Sequence, residues 1–71
     1  MIPLEEIQKR LAETIKQSGL TQTELANKLN VRQQTISKYI KGTVFPALDT
    51  FANLCEVIDA DPAYILGLSK Y

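Results

Sequence analysis

The stretch Thr21–Gly42, TQTELANKLNVRQQTISKYIKG, decides the fold. Two amphipathic segments, Gln22–Leu29 and Gln33–Lys41, are separated only by Asn30-Val31-Arg32, too short a link for a loop of any reach. Helices joined so tightly must cross steeply and pack on each other, which is helix-turn-helix geometry. In the second segment Ile36 and Ile40 fall on the inward side at helical spacing, which leaves Gln33, Gln34, Lys38 and Lys41 outward. That outward face offers hydrogen-bonding groups and nothing that packs.

Local signals mark both helices of this unit. Thr21-Gln22-Thr23-Glu24 is a capping box in which the Thr21 hydroxyl accepts from the Glu24 amide and the Glu24 carboxylate reaches back, so the first helix starts at Gln22. Its buried face is Leu25, Ala26 and Leu29, and the small Ala26 lets a neighbouring helix approach closely. Asn30 tolerates the left-handed conformation that a tight helix exit requires, Val31 fills the space under the turn, and Gly42 stops the second helix. Arg32 occupies the N-cap position of that helix, which therefore forgoes roughly 1 kcal/mol of side-chain capping. Two readings of Arg32 are open: a phosphate or base contact, or a plain solvated side chain.

Towards the N-terminus, Leu4, Ile7, Leu11 and Ile15 recur at i, i+3, i+7 and i+11 and predict a scaffold helix over about residues 3–18. Pro3 suits its first turn, Glu5 and Glu6 sit at the positive end of its dipole, and Gly19 ends it. Beyond the unit, Thr43-Val44-Phe45-Pro46 is apolar for a connection. A fourth helix runs from Ala47 or Leu48 to Ile58, with Leu48, Phe51, Cys55 and Ile58 on one face and Leu54 and Val57 beside them. Asp61-Pro62 opens a last short helix reaching Leu66, and Ser69-Lys70-Tyr71 is expected to fray. With five helical segments, no strand pattern, no linker and no repeat, the chain reads as all-α: one compact five-helix bundle spanning residues 1–71.

Bulk properties narrow the chemistry. A chain of 71 residues is near the lower limit for a single core, with about 60% of its surface buried on folding and a stability of about 4–10 kcal/mol. Cys55 is the one cysteine and histidine is absent, so disulfide frameworks, ordinary zinc sites and histidine acid–base chemistry are excluded; Cys55 reads as a small core residue. No nucleophile–base pair or glycine-rich phosphate loop is visible, and no cofactor, metal or small-molecule substrate is expected. The start, Met1-Ile2-Pro3-Leu4, has no basic region followed by an apolar run, and no apolar stretch approaches the roughly 18 residues of a membrane helix, so a soluble, cytoplasmic protein is expected.

Net charge is zero, yet its distribution is uneven. Residues 21–43 carry four cations, Lys28, Arg32, Lys38 and Lys41, against Glu24, a net of +3. Residues 44–69 carry Asp49, Glu56, Asp59 and Asp61 and no cation, a net of −4. The positive end coincides with the two-helix unit, as a polyanion-binding face requires, although small domains also show such asymmetry by chance.

At Thr21–Gly42, and more loosely from Ile7 to Leu66, the sequence resembles the phage repressor and Cro-like helix-turn-helix family. The resemblance lies in GLTQxELA at Gly19–Ala26, the turn at Val31, QQTIS at Gln33–Ser37, Gly42, and Pro46-x-Leu48 opening the next helix. It implies a five-helix domain that binds double-stranded operator DNA as a homodimer, with the second helix of the unit in the major groove. Carried over position by position, it implies that Gln33 and Gln34 face base edges and that Lys38, one turn on, does so too. Glutamine suits adenine N6 and N7, and lysine suits guanine O6 or N7. Thr21, Gln22, Arg32, Lys41 and Thr43 are the implied backbone contacts, and the amide of Gln22 at a helix N-terminus is an anion site in any case.

The sequence also departs from that family. Many members pair an arginine and a glutamate in the interior where this chain has Ile15 and Ile40, a replacement that is often neutral or stabilising by about 1–4 kcal/mol. The two isoleucines are therefore expected to meet. The connection after Gly42 lacks the basic residues that relatives often place there, leaving the Thr43 hydroxyl and the amides; Phe45 reads as a lid on the core or a dimer contact. A transcriptional regulator, and specifically a repressor occupying a pseudo-palindromic operator, is the function this resemblance implies. A protein-interaction adaptor or antitoxin-like domain on the same scaffold is the alternative, favoured by the acidic C-terminal helices and the apolar Val44-Phe45 tip.

Overall fold

In the computed structural model, which describes residues 1–69, each helix begins within a residue of the position the sequence predicts. The elements are α1 Leu4–Gln17, α2 Gln22–Leu29, α3 Gln33–Lys41, α4 Leu48–Val57 and α5 Pro62–Ile65. Among the described residues there is no strand, and no helix is long and apolar enough to cross a membrane. The all-α architecture is the expected one.

The capping box of α2 is complete. The Thr21 hydroxyl accepts from the Glu24 N–H at 3.1 Å, and the Thr21 N–H donates to the Glu24 carboxylate at 2.9 Å. Asn30 exits α2 at φ 56°, ψ 44°, in the left-handed region, and the Val31 N–H reaches back to the Ala26 carbonyl at 3.0 Å. The left-handed residue and that hydrogen bond together set the direction in which α3 leaves. Gly42 plays the matching part at the end of α3, at φ 81° with its N–H on the Lys38 carbonyl at 2.9 Å. At α5 the Asp61 carboxylate accepts from the Ala63 N–H at 2.9 Å, ahead of Pro62 in the first turn.

One cluster unites the bundle: Leu11 and Ile15 of α1, Leu25 and Ala26 of α2, Ile36 and Tyr39 of α3, Leu54 and Cys55 of α4, and Ile65 of α5. Leu25, Ile36, Leu54 and Ile65 are fully enclosed, each removing about 1.5–3 kcal/mol worth of apolar side chain from water. Ile40 packs against this cluster, to which Ile15 belongs, so both isoleucines serve one core. Cys55 is a buried free thiol within it, held above the usual thiol range first by burial and then by the nearby Asp61 charge.

Several expectations need correction. Leu4 and Leu48 share helical faces with core residues, yet they are 60% and 88% exposed, each on the first residue of its helix and on the wall of an apolar groove open to solvent. Val57, expected beside the core, is exposed at the last turn of α4. On α3 the deepest residues are Ile36 and Tyr39, with Ile40 only half-buried at the edge. Phe45 is half-buried and shares an open apolar groove with core Leu11, so it is no closed lid. Pro3 is the N-cap of α1, outside its first turn. Ser69 is held by its N–H on the Ala63 carbonyl at 3.1 Å, against the expected fraying; Lys70 and Tyr71, the rest of that expectation, lie outside the described residues.

Candidate nucleic-acid interface

α3 is held from beneath and open above. Ile36 and Tyr39 enter the core, and Gln34, Lys38 and Lys41 fall on the opposite side of a 3.6-residue turn, all exposed. Gln33 is exposed at the first turn. None of these four side chains makes a hydrogen bond or ion pair to the described residues, so their donors and acceptors are free for another molecule. A glutamine amide offers one acceptor and two N–H donors, which is the complement of an adenine edge.

The N-terminus of α3 carries no side-chain cap. Arg32 holds the N-cap position at φ −81°, ψ 151°, exposed, and its carbonyl accepts the first ladder bonds from Thr35 and Ile36 at 3.0 and 3.4 Å. The amides of Gln33 and Gln34 precede that ladder. A positive helix end, a guanidinium and two amide side chains thus converge on one exposed surface, a combination suited to polyanions.

The remaining residues expected at a backbone interface differ in what they have left to give. Thr21 is engaged by the capping box, its hydroxyl oxygen accepting from the Glu24 N–H and its own N–H donating to the Glu24 carboxylate. Gln22, half-buried, opens α2 behind it. Thr43 is exposed, but its N–H donates to the Lys38 carbonyl at 3.1 Å and its hydroxyl lies 3.5 Å from the same oxygen, so little of its hydrogen-bonding capacity points outward. Glu24, the one acid of the unit, is held below the usual carboxylate range, first by the Thr21 N–H and then by its hydroxyl.

Two residues were not singled out from the sequence. Ser37 is half-buried, three positions from Gln34 and four from Gln33, so helical periodicity places it between them on the same side. Gln8 of α1 donates to the Ile40 carbonyl at 2.9 Å and so grips the far end of α3. Periodicity could have found the first; nothing local marks the second. Among the described residues no group of His, Cys, Asp or Glu is placed to hold a metal ion.

An αL turn between two crossed helices, a core-anchored second helix and an outward polar face define a helix-turn-helix protein, and the helix-turn-helix family model matches residues 8–65. The chain belongs to this family, in its phage repressor, Cro/C1-like branch. Among curated proteins it is 36% identical over 59 residues to the HTH-type transcriptional regulator ImmR of Bacillus subtilis (strain 168), an alignment covering 83% of this chain and 46% of that protein. The chain therefore spans about half the length of the curated relative it matches. No solved structure matches it significantly.

Proposed function

We propose that this chain is a DNA-binding transcriptional regulator, acting as a single domain over residues 1–71 and repressing by occupying an operator in the cytoplasm. Insertion of α3 into the major groove presents Gln33, Gln34 and Lys38 to base edges. Thr21, Gln22, Arg32, Lys41 and, more weakly, Thr43 meet the phosphates that flank the groove. The observation that carries this reading is the outward row on α3: exposed amides and ammonium groups without a hydrogen-bond or ion-pair partner among the described residues, on a helix whose other side is core. The relative's name, a transcriptional regulator, supports it.

One helix reads too few base pairs to select a site in a genome. Two copies on half-sites about 10 base pairs apart, related by a two-fold axis, supply the missing discrimination and require a pseudo-palindromic site. The chemistry is recognition alone and needs no cofactor or small-molecule substrate.

Selection of bound sequences from a random duplex pool tests the reading. Recovery of a two-fold-symmetric site with that spacing is expected, and its affinity should fall with salt at a log–log slope of roughly −4 to −5 for two or three cationic phosphate contacts per copy. Absence of duplex binding at low salt, or binding indifferent to salt, would overturn it. An adaptor or antitoxin-like role on the same scaffold is the second reading, and the open apolar groove beside Leu48 is what favours it.

A further inference from the structure

α3 is fixed at its start by the Asn30 turn and at its finish by α1. The Gln8 side-chain amide donates to the Ile40 carbonyl at 2.9 Å, the one hydrogen bond between α1 and α3 among the described residues. Gln8 also lies so close over Gly42 that a Cβ there would fall 2.7 Å from its side-chain carbons. The other residues that these helices bury, Leu11 and Ile15 with Ile36 and Tyr39, belong to the shared apolar cluster. Apolar burial is non-directional and fixes only that the helices meet; a hydrogen bond has a length and an angle, and fixes where. Arg10, two residues on, serves α5 in the same way, its Nε donating to the Ile65 carbonyl at 3.0 Å.

We infer that Gln8, half-buried on α1, is a positioning residue for recognition: by holding the far end of α3 it sets the tilt at which Lys38 is presented. This deepens the proposed DNA reading and rests on it. With the Gln8 bond removed, α3 keeps its anchor at the turn and swings about it. Each residue advances about 1.5 Å along a helix, so a swing of about 10° pivoting at Arg32 moves the backbone of Lys38 by about 1.5 Å and that of Gln33 by about 0.3 Å. A base-edge hydrogen bond tolerates about 0.5 Å between its close and long limits. The loss therefore falls on the base pair that Lys38 reads and spares the one that Gln33 reads. Phosphate contacts carry no sequence information, and affinity for random duplex, which rests on them, changes little.

Gln8→Met keeps the bulk of the side chain and removes its amide. Selection from a random duplex pool, run on the parent, Gln8→Met, Lys38→Ala and Gln33→Ala, tests the inference. Gln8→Met is expected to relax preference about fivefold or more at the base pairs that Lys38→Ala relaxes. Preference at the pairs that Gln33→Ala relaxes, and affinity for random duplex, should stay within about twofold of the parent. Arg10→Met removes a bond of the same kind at α5, so it shares the loss of stability and should leave the preference profile unchanged. Any other pattern for Gln8→Met, or equal relaxation by Arg10→Met, overturns the inference. Residual dipolar couplings of the DNA-free chain separate the two readings. A parent that selects no sequence ends the DNA reading, while an α3 re-oriented against α1 in Gln8→Met keeps the positioning role of Gln8; couplings unchanged between parent and variant overturn that role.

Discussion

The side-chain amide of Gln8, on α1, donates to the main-chain carbonyl of Ile40, on α3, at 2.9 Å across 32 positions of sequence. That carbonyl belongs to the last turn of α3, where the helix's own ladder has run out. A scaffold helix thereby satisfies the end of the helix that carries the candidate reading face, and α1 and α3 also pack against each other.

The contact has a steric counterpart at Gly42. A Cβ there would lie 2.7 Å from the Gln8 side-chain carbons, and Gly42 sits at φ 81°, where a side chain is strained in any case. Gln8→Ala is expected to cost about 1–2 kcal/mol in urea unfolding, as the carbonyl loses its partner. Gly42→Ala should cost more in the parent than in the Gln8→Ala background, by about 0.5–1 kcal/mol, because only the parent has the clash. Strictly additive losses would mean that the two residues are not coupled.

Arg32 marks a conflict between stability and recognition. Arg32→Ser supplies the missing cap to α3 and should stabilise the fold by about 1 kcal/mol in thermal or urea unfolding. The same change should weaken DNA binding and make the salt slope shallower by about 1 for each copy that loses a phosphate contact. A variant that gains stability with DNA affinity intact would assign Arg32 to plain solvent exposure.

Gln33 is tested by contrast between sites. Gln33→Ala should lose about 1–3 kcal/mol on the selected operator and almost nothing on random duplex, with stability unchanged within about 0.5 kcal/mol. Equal losses on both duplexes would remove Gln33 from base reading.

Acid and alkali should act through different residues. Glu24, with its carboxyl held below the ordinary value of 4.5, stabilises the native state above that pH, and the contribution is lost as pH falls through its folded pKa. Cys55 and Tyr39 behave oppositely: burial raises both above their ordinary values of 9.0 and 10.0, so their contribution is present below those values and disappears as pH rises through the folded ones. With no histidine in the chain, the melting temperature should be nearly flat around neutrality and fall at both extremes, more shallowly in acid because Glu24 is exposed. Cys55→Ala should move the alkaline onset upward, towards the range of Tyr39.

Residues 21–42 were readable because their instructions are local. Thr21 and Glu24 are three positions apart, Asn30 and Gly42 act through their own backbone, and Ile36 and Gln34 are sorted by the period of one helix. The same period misled at Leu4 and Leu48. It shows which residues share a face, but not whether the space above them is closed, and at these two positions an apolar groove stays open to solvent. The depth of Tyr39 was missed because its ring and hydroxyl suit either environment until the partners are known. The Gln8–Ile40 bond joins residues with no pattern between them. For the candidate site, the exposure of Gln33, Gln34, Lys38 and Lys41 followed from periodicity, whereas the internal bonding that occupies Thr43 depended on how the chain leaves α3.

The division of α3 into two sides has an evolutionary corollary. Its inward residues answer to the bundle, and its outward side chains bind none of the described residues, so mutation can rewrite the second set while the first keeps the thermal tolerance of the protein unchanged. On the proposed reading, a lineage built on this helix changes its target by altering three or four surface letters, without first evolving a sturdier scaffold to absorb the change.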